Sequence, residues 1–179
     1  IPCGVDKRPM IAWSDYQNRI ATDDELKEWF GDRPVQIATI CGQVSQNLMV
    51  IDFDKVKIGE FKDSCVYQEW TETETAKRLM PILVINSTPS GGFHLRFRIR
   101  HQVEGNQKLA MTDDGQVLIE TRGEGGYALS PPSTGYEIVN GSSIAPPILD
   151  ASQYEDLIQS LISFDMSDNK LDRMSRSDL

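Results

Sequence analysis

The 179-residue chain is 39% hydrophobic, which suffices for one globular domain with its own core. Its formal net charge of −9 excludes a protein that coats nucleic acid through its overall charge, so any site for a polyanion has to be local. Three widely spaced cysteines, Cys3, Cys41 and Cys65, match neither a disulfide framework nor a paired zinc motif, so we expect reduced thiols and no zinc.

The first half of the chain predicts a short helix, two strands and a longer helix. Thr22 and Glu25 have the spacing of a capping box, ahead of the apolar residues of the short helix. Residues 35–41 and 47–53 are rich in β-branched side chains, and the Gly/Gln/Ser turn between them predicts a β-hairpin. A helical period over residues 65–80 predicts a single helix that ends before a proline.

The second half of the chain is dominated by predicted strands. These are residues 82–88, 93–100, 116–122, 127–130 and 136–139. A glycine-rich turn at 89–92 joins the first two as a hairpin, residues 101–115 are predicted as a loop, and residues 152–163 as an amphipathic helix before a polar tail. Hairpins with a few interposed helices indicate an α+β fold with a mainly antiparallel sheet.

Two carboxylates stand at the end of the apolar strand over residues 47–53. Asp52 and Asp54 are two apart, so on a strand they point to the same face while Phe53 enters the core. Two like charges this close repel each other unless a cation lies between them, and Mg²⁺ takes such oxygen ligands. A solvated turn is the alternative interpretation of the same pattern.

A third acid, Glu120, lies inside the apolar strand "QVLIETR". Burying a carboxylate without a partner is costly, and Arg122, on the same face, is the nearest candidate partner. Two interpretations follow: a cross-strand salt bridge, or a third metal ligand beside an arginine that binds phosphate.

The segment "SGGFHLRFRIR" at residues 90–100 concentrates positive charge on one face of a strand. The apolar face is predicted to hold Phe93, Leu95, Phe97 and Ile99, and the opposite face His94, Arg96, Arg98 and Arg100. The last two arginines are expected to be solvated, which leaves the start of the strand as the candidate anion site.

The turn before this strand adds a second anion-binding feature. Ser90, Gly91 and Gly92 form a tight turn, and the exposed amides of such a turn can cradle an anion. We therefore expect a triphosphate to contact these amides, the Ser90 hydroxyl and His94, with Arg96 as the next contact along the face.

In this order, the motifs "VIDFD", "SGGFH" and "IE" resemble those of the primase-polymerase domain of the archaeo-eukaryotic primase superfamily, found in replication proteins of plasmids, phages and other mobile elements. Further similarity lies in "DKRPMIAW" (6–13), "DELKEWF" (24–30) and "RGEGGYALSPPS" (122–133). The resemblance extends from about residue 2 to about residue 140. An ordered series of this many elements is far more specific than any one motif.

The resemblance implies an archaeo-eukaryotic primase-type catalytic core, with an RRM-like, mainly antiparallel sheet and a small N-terminal α/β part. It also implies template-directed nucleotidyl transfer with two divalent metal ions, Mg²⁺ or Mn²⁺. The implied metal ligands are Asp52, Asp54 and Glu120, and the implied nucleotide contacts are Ser90, His94 and Arg122. The implied partners are a single-stranded DNA template, a primer, and dNTPs or NTPs.

The same resemblance sets expectations for the context of the domain. Residues 1–150 are expected to be the catalytic domain, and residues 151–179 a C-terminal helix and the start of a linker. Because the first residue is Ile1 rather than Met, we expect a piece of a longer chain, with a helicase or primer-binding domain elsewhere in it or supplied in trans. No signal peptide and no membrane-length apolar run are evident, so we expect a cytoplasmic protein without a membrane partner.

Two other functions stay open on the sequence. The same carboxylates would serve a metal-dependent nuclease or phosphodiesterase, which would degrade DNA without added dNTP. A non-catalytic nucleotide-binding replication module would bind nucleotide without incorporating it.

Overall fold

A computed structural model describes residues 1–31, 35–58 and 62–167 of the chain. Within these ranges the strands are β1 (Pro2–Cys3), β2 (Gln36–Ile40), β3 (Leu48–Phe53), β4 (Val56–Ile58), β5 (Lys62–Ser64), β6 (Val84–Ser87), β7 (Phe93–Ile99), β8 (Lys108–Met111), β9 (Val117–Arg122), β10 (Tyr127–Leu129), β11 (Glu137–Asn140) and β12 (Ile148–Leu149). The helices are α1 (Asp23–Phe30), α2 (Tyr67–Thr71), α3 (Glu74–Leu79) and α4 (Ala151–Ile162).

Two sheets form the body of the protein. The larger has seven strands in the order β11-β6-β7-β3-β9-β8, with β12 paired to β7, and the smaller has the order β1-β2-β10. Strands β4 and β5 pair with each other. Every pairing between these named strands is antiparallel except that of β12 with β7. The expected α+β class with a mainly antiparallel sheet is therefore confirmed.

Three locally encoded elements form as predicted. The capping box of α1 is present, with Thr22 accepting from the Glu25 amide and the Glu25 side chain accepting from the Thr22 amide. Strands β6 and β7 form the predicted hairpin. The amphipathic helix predicted over 152–163 is α4, which buries its apolar side against the core. None of the helices in the described ranges is both long and apolar enough to cross a membrane.

The hairpin predicted from residues 35–41 and 47–53 is wrong. Strand β2 belongs to the small sheet and β3 to the large one. Between them, Gly42, just after β2, forms an isolated bridge with Leu48, the first residue of β3. The connection contains a left-handed glycine (Gly42, φ 88°), a 3-10 turn, and two left-handed residues, Gln46 and Asn47 (φ 59° each). These dihedral angles redirect the chain from one sheet into the other instead of folding it back.

Two further predictions are corrected. The single helix predicted over 65–80 is split into α2 and α3, because the Thr73 side chain accepts from the Ala76 amide and begins a new helix there. The loop predicted over 101–115 contains β8, which pairs with β9 at the edge of the large sheet. Beyond residue 167, the polar tail that was predicted from residue 165 lies outside the described residues.

Both faces of the central strand β3 are covered. Met49, Ile51 and Phe53 are buried in the main core with the helices, whereas Leu48 and Val50 are buried on the opposite face with Cys41 and Ala128 of the small-sheet side. This double burial explains why β3 is a continuous apolar run before its two aspartates rather than an alternating one.

Helix α4 is part of the main core. Its Leu157 and Leu161 are fully buried there, and the Trp70 indole donates to the Ser160 hydroxyl at 3.1 Å. The elements that carry the large sheet therefore depend on residues beyond 150 for part of their packing.

Replacing Leu161 with alanine should lower the free energy of unfolding by about 2 to 5 kcal/mol, because it opens a cavity in the core. Urea denaturation measured by tryptophan fluorescence tests this. Glu155→Ala, on the exposed side of the same helix, should change the free energy by less than about 0.5 kcal/mol. An unchanged midpoint for Leu161→Ala would show that α4 does not stabilise the sheet.

Candidate active site

A row of polar residues crosses the large sheet at the end of β3. The antiparallel register places Asp52 opposite His94 on β7 and opposite Glu120 on β9. The row extends to Asn86 on β6, opposite His94, and to Lys108 on β8, opposite Glu120. Because directly opposed residues share a face, five adjacent strands present polar side chains on the same side of the sheet.

Three carboxylates converge at this row. Asp52, Asp54 and Glu120 each offer one oxygen, and the three oxygens lie within 4.8 Å of one another. All three residues are half-buried, and carboxylate oxygens are the donors that hard divalent cations prefer. The donor set fits such a cation, with Asp52 on β3, Asp54 directly after that strand and Glu120 on the neighbouring β9.

Two basic side chains flank the carboxylates. The buried His94 places its Nε2 3.4 Å from Asp52 Oδ1, and Arg122 places Nη2 3.6 Å from Asp52 Oδ2. Arg122 also donates a hydrogen bond to Glu120. A salt bridge of Glu120 is therefore formed, but within β9 rather than across strands as expected, and it lies beside the carboxylate cluster rather than in place of it.

Burial and charge separate the pKa values of the carboxyl groups. Burial and the charges of Asp52 and Glu120 raise the pKa of Asp54 to about 6. Burial also raises the pKa of Glu120, partly opposed by Arg122. Burial acts against ionisation of Asp52 as well, but the hydrogen bond and charge of His94 and the charges of Arg122 and Lys7 outweigh it and lower the pKa. The site thus holds one stable anion and two carboxyls whose charge a bound cation would stabilise.

The glycine-rich turn packs against the end of β3. A Cβ on Gly92 would lie 2.1 Å from the Phe53 carbonyl oxygen, so only glycine permits this approach. Thr88 holds the turn closed, since its carbonyl accepts from the Gly91 amide and its hydroxyl accepts from the Gly92 amide. The Gly91 and Gly92 amides therefore donate within the turn, and the Ser90 hydroxyl lies 3.0 Å from that of Thr88.

An open cleft of about 280 Å³ lies between the two sheets above this row. The predicted site residues that line it are Asp52, Asp54, Ser90, His94 and Arg122. Glu120 joins them through the carboxylate cluster. One cleft therefore brings together the three sequence motifs from β3, from the turn before β7 and from β9.

The remaining arginines of β7 lie elsewhere. Arg96 is 2% exposed and is opposite Val84 and Val50 in the large sheet, and it does not line the cleft. Burial lowers the pKa of Arg96. Arg98, which was expected to be solvated, donates to the Pro146 carbonyl and to Gln46, whereas Arg100 is exposed as expected.

The cleft also contains residues to which the sequence assigned no role. Lys7, Thr88, Tyr127 and Tyr136 line it together with the predicted residues. Lys7 and Tyr127 belong to the stretches 6–13 and 122–133 that carry part of the family resemblance, which is the one signal in the sequence that could have suggested them. Nothing in the local sequence marks Thr88 or Tyr136, because only the fold brings them to the cleft.

Asp54→Asn should stabilise the metal-free protein at pH 8. The pKa of Asp54 is higher in the folded chain than its ordinary value of 3.8, so the folded state binds more protons between pH 3.8 and about 6. Stability is therefore lost as pH rises through this window, and the substitution removes that loss. The melting temperatures of the variant and the wild-type protein, measured with a chelator at pH 4 and pH 8, test this prediction.

The control for this prediction is Asp113→Asn, which removes the same charge from an exposed position between β8 and β9. Its effect on the melting temperature should be small at both pH values. Equal stabilisation by the two variants would mean that net charge, and not repulsion inside the carboxylate cluster, sets the effect.

A comparison with protein-family models matches residues 1–151 to the family described as bifunctional DNA primase/polymerase, N-terminal. No curated protein gives a significant match to the chain. The matched range contains the three carboxylates, the glycine-rich turn, His94 and Arg122. The chain therefore belongs to the bifunctional DNA primase/polymerase N-terminal family.

Proposed function

We propose that the chain is a catalytic domain that synthesises nucleic acid on a DNA template, as a primase, a polymerase or both. The observation that supports this most directly is the cluster of Asp52, Asp54 and Glu120, with oxygens within 4.8 Å of one another, in a cleft that also holds His94 and Arg122. The family suggests DNA primase/polymerase activity, and this cluster is the donor set that such chemistry needs.

The three carboxylates are the proposed ligands of Mg²⁺ or Mn²⁺. When bound, two such ions supply activation of the attacking 3′-oxygen and stabilisation of the leaving pyrophosphate. His94 and Arg122 hold Asp52 in position through its two carboxylate oxygens. Because Arg122 also bonds to Glu120, it links the ligands on β3 and β9 to each other.

The proposed nucleotide contacts are Ser90, His94 and Arg122, all of which line the cleft. Gly91 and Gly92 shape the turn that presents Ser90, and their own amides donate inside it. Direct contact between Arg96 and the nucleotide stays a prediction. Because Arg96 is buried, this contact would require the cleft to rearrange.

Several broader features belong to the same proposal. The large sheet is the proposed RRM-like core of an archaeo-eukaryotic primase fold, and the small sheet with α1 is the proposed N-terminal part. We propose residues 1–150 as the catalytic domain and 151–179 as the helix and start of a linker, with α4 packed onto the domain. A net charge of −9 fits a domain that relies on a helicase or primer-binding partner for DNA affinity, in the replication of a mobile element.

The central test is incorporation of labelled dNTPs and NTPs on single-stranded DNA, with and without a primer, in Mg²⁺ or Mn²⁺. The protein should extend the strand, and Asp52→Asn/Asp54→Asn should reduce the rate by about a thousandfold or more, because it removes the charges that hold the metal. Product without a primer would identify a primase.

The matched control is Asp113→Asn/Glu155→Gln, which removes two exposed carboxylates and leaves the cleft intact. Its rate should equal that of the unchanged protein. Cleavage of the DNA with no dNTP present, lost in the Asp52/Asp54 variant, would contradict the proposal in favour of a nuclease. Nucleotide binding without incorporation in either metal would favour a non-catalytic module.

His94→Gln should mainly weaken nucleotide binding, raising KM for dNTP by about tenfold, because the charge-assisted contact to the nucleotide is lost. The other of the two histidines provides the control: His101→Gln, on an exposed residue, should leave KM unchanged. An effect confined to template affinity would refute the role assigned to His94.

A further inference from the structure

The N-terminal residues form a tight hairpin over the cleft. Cys3 and Pro9 are bridged, the Gly4 amide donates to the Arg8 carbonyl at 2.9 Å, and the Lys7 amide donates to the Gly4 carbonyl at 3.0 Å. Lys7 is therefore part of the hairpin turn rather than of a strand. Its side chain lines the same cleft as Asp52 and Asp54.

Lys7 has an unfavourable backbone conformation. Its φ of 65° lies in the left-handed region, which residues other than Gly, Asn and Asp seldom occupy. The surrounding structure fixes this conformation, since Tyr127 donates from its hydroxyl to the Lys7 carbonyl at 3.2 Å and packs edge-on against Trp13 with ring centroids 5.2 Å apart. A strained residue held in place from several sides is typical of a functional position.

The Lys7 ammonium has no hydrogen bond or ion pair with a residue of the described ranges, although its charge acts on Asp52. Arg122, the cleft's other permanently charged cation in those ranges, is already bonded to two carboxylates. The cleft thus contains one engaged cation and one available cation, on opposite walls.

We propose that Lys7 binds the phosphates of the incoming nucleoside triphosphate, clamping them from the small-sheet side against Ser90 and His94 on the large-sheet side. This inference rests on the proposed function and adds a phosphate-binding residue to it. A lysine ammonium is a compact charge suited to a polyphosphate. Lys7 lines the same cleft as Ser90 and His94, the proposed nucleotide contacts, which favours the nucleotide over template phosphates as the ligand.

The test compares dissociation constants for dATP in Mg²⁺, measured by calorimetry, with those for a fluorescent single-stranded DNA. Lys7→Asn removes the charge but suits a left-handed φ, so it should keep the hairpin and raise the Kd for dATP about tenfold. Lys7→Arg should stay within about threefold of the unchanged protein, because it retains the charge. DNA affinity should be unchanged in both.

Arg8→Ala is the matched control, since this neighbouring side chain is 85% exposed and outside the cleft lining. Its Kd for dATP should not change. The inference is overturned if Lys7→Asn binds dATP normally, if it loses only DNA affinity, or if Lys7→Arg is as deficient as Lys7→Asn, which would assign the effect to hairpin shape. If the unchanged protein binds no dATP, the proposed function itself fails, a result distinct from these three.

Discussion

The candidate site depends on the register of β3 between β7 and β9. In this register Asp52 is opposite both His94 and Glu120, so three motifs that are far apart in the chain meet at one row. A shift of one residue would turn both aspartates toward the helices and the apolar side chains toward the cleft. Such a shift is costly, because it would place the Asp52 carboxylate in the apolar core that Phe53 now occupies. Core packing and site assembly are thus the same constraint.

The same burial gives the site its electrostatic character. Half-buried carboxylates on neighbouring strands repel one another more strongly than exposed ones, because less water screens them. His94 and Arg122 offset part of this repulsion at Asp52 and leave Asp54 with a raised pKa. The chain therefore combines a fixed anion with carboxyls that a divalent cation would stabilise, in a protein whose overall charge is acidic. Local arrangement, not net charge, decides what this cleft attracts.

Local sequence patterns were sufficient to predict the elements that depend on interactions between sequence neighbours. The capping residues of α1, the turn before β7 and the alternation within β7 each depend on neighbours in sequence, and each forms as predicted. The motif residues Asp52, Asp54 and Glu120 converge because the strands that carry them are adjacent in the sheet. Pairing partners were not predictable in this way. The composition of residues 35–41 is equally compatible with pairing to β3 and with pairing to β10. Only the tertiary fold decides between these two partners. For the same reason the sequence placed Arg96 on an accessible face, whereas in the structure it is 2% exposed.

The chain crosses between the two sheets three times, and two of these connections touch each other. One connection runs from β2 to β3 through Gly42, and the other from β9 to β10 through Glu124. A Cβ on Gly42 would lie 2.9 Å from the Glu124 Cα, and the Gln43 amide donates to the Glu124 carboxylate at 2.8 Å. This contact fixes the small sheet, and with it Tyr127 and the hairpin that carries Lys7, relative to the carboxylates on the large sheet. Residues that bear no reactive group thereby determine how far apart the two walls of the site stand.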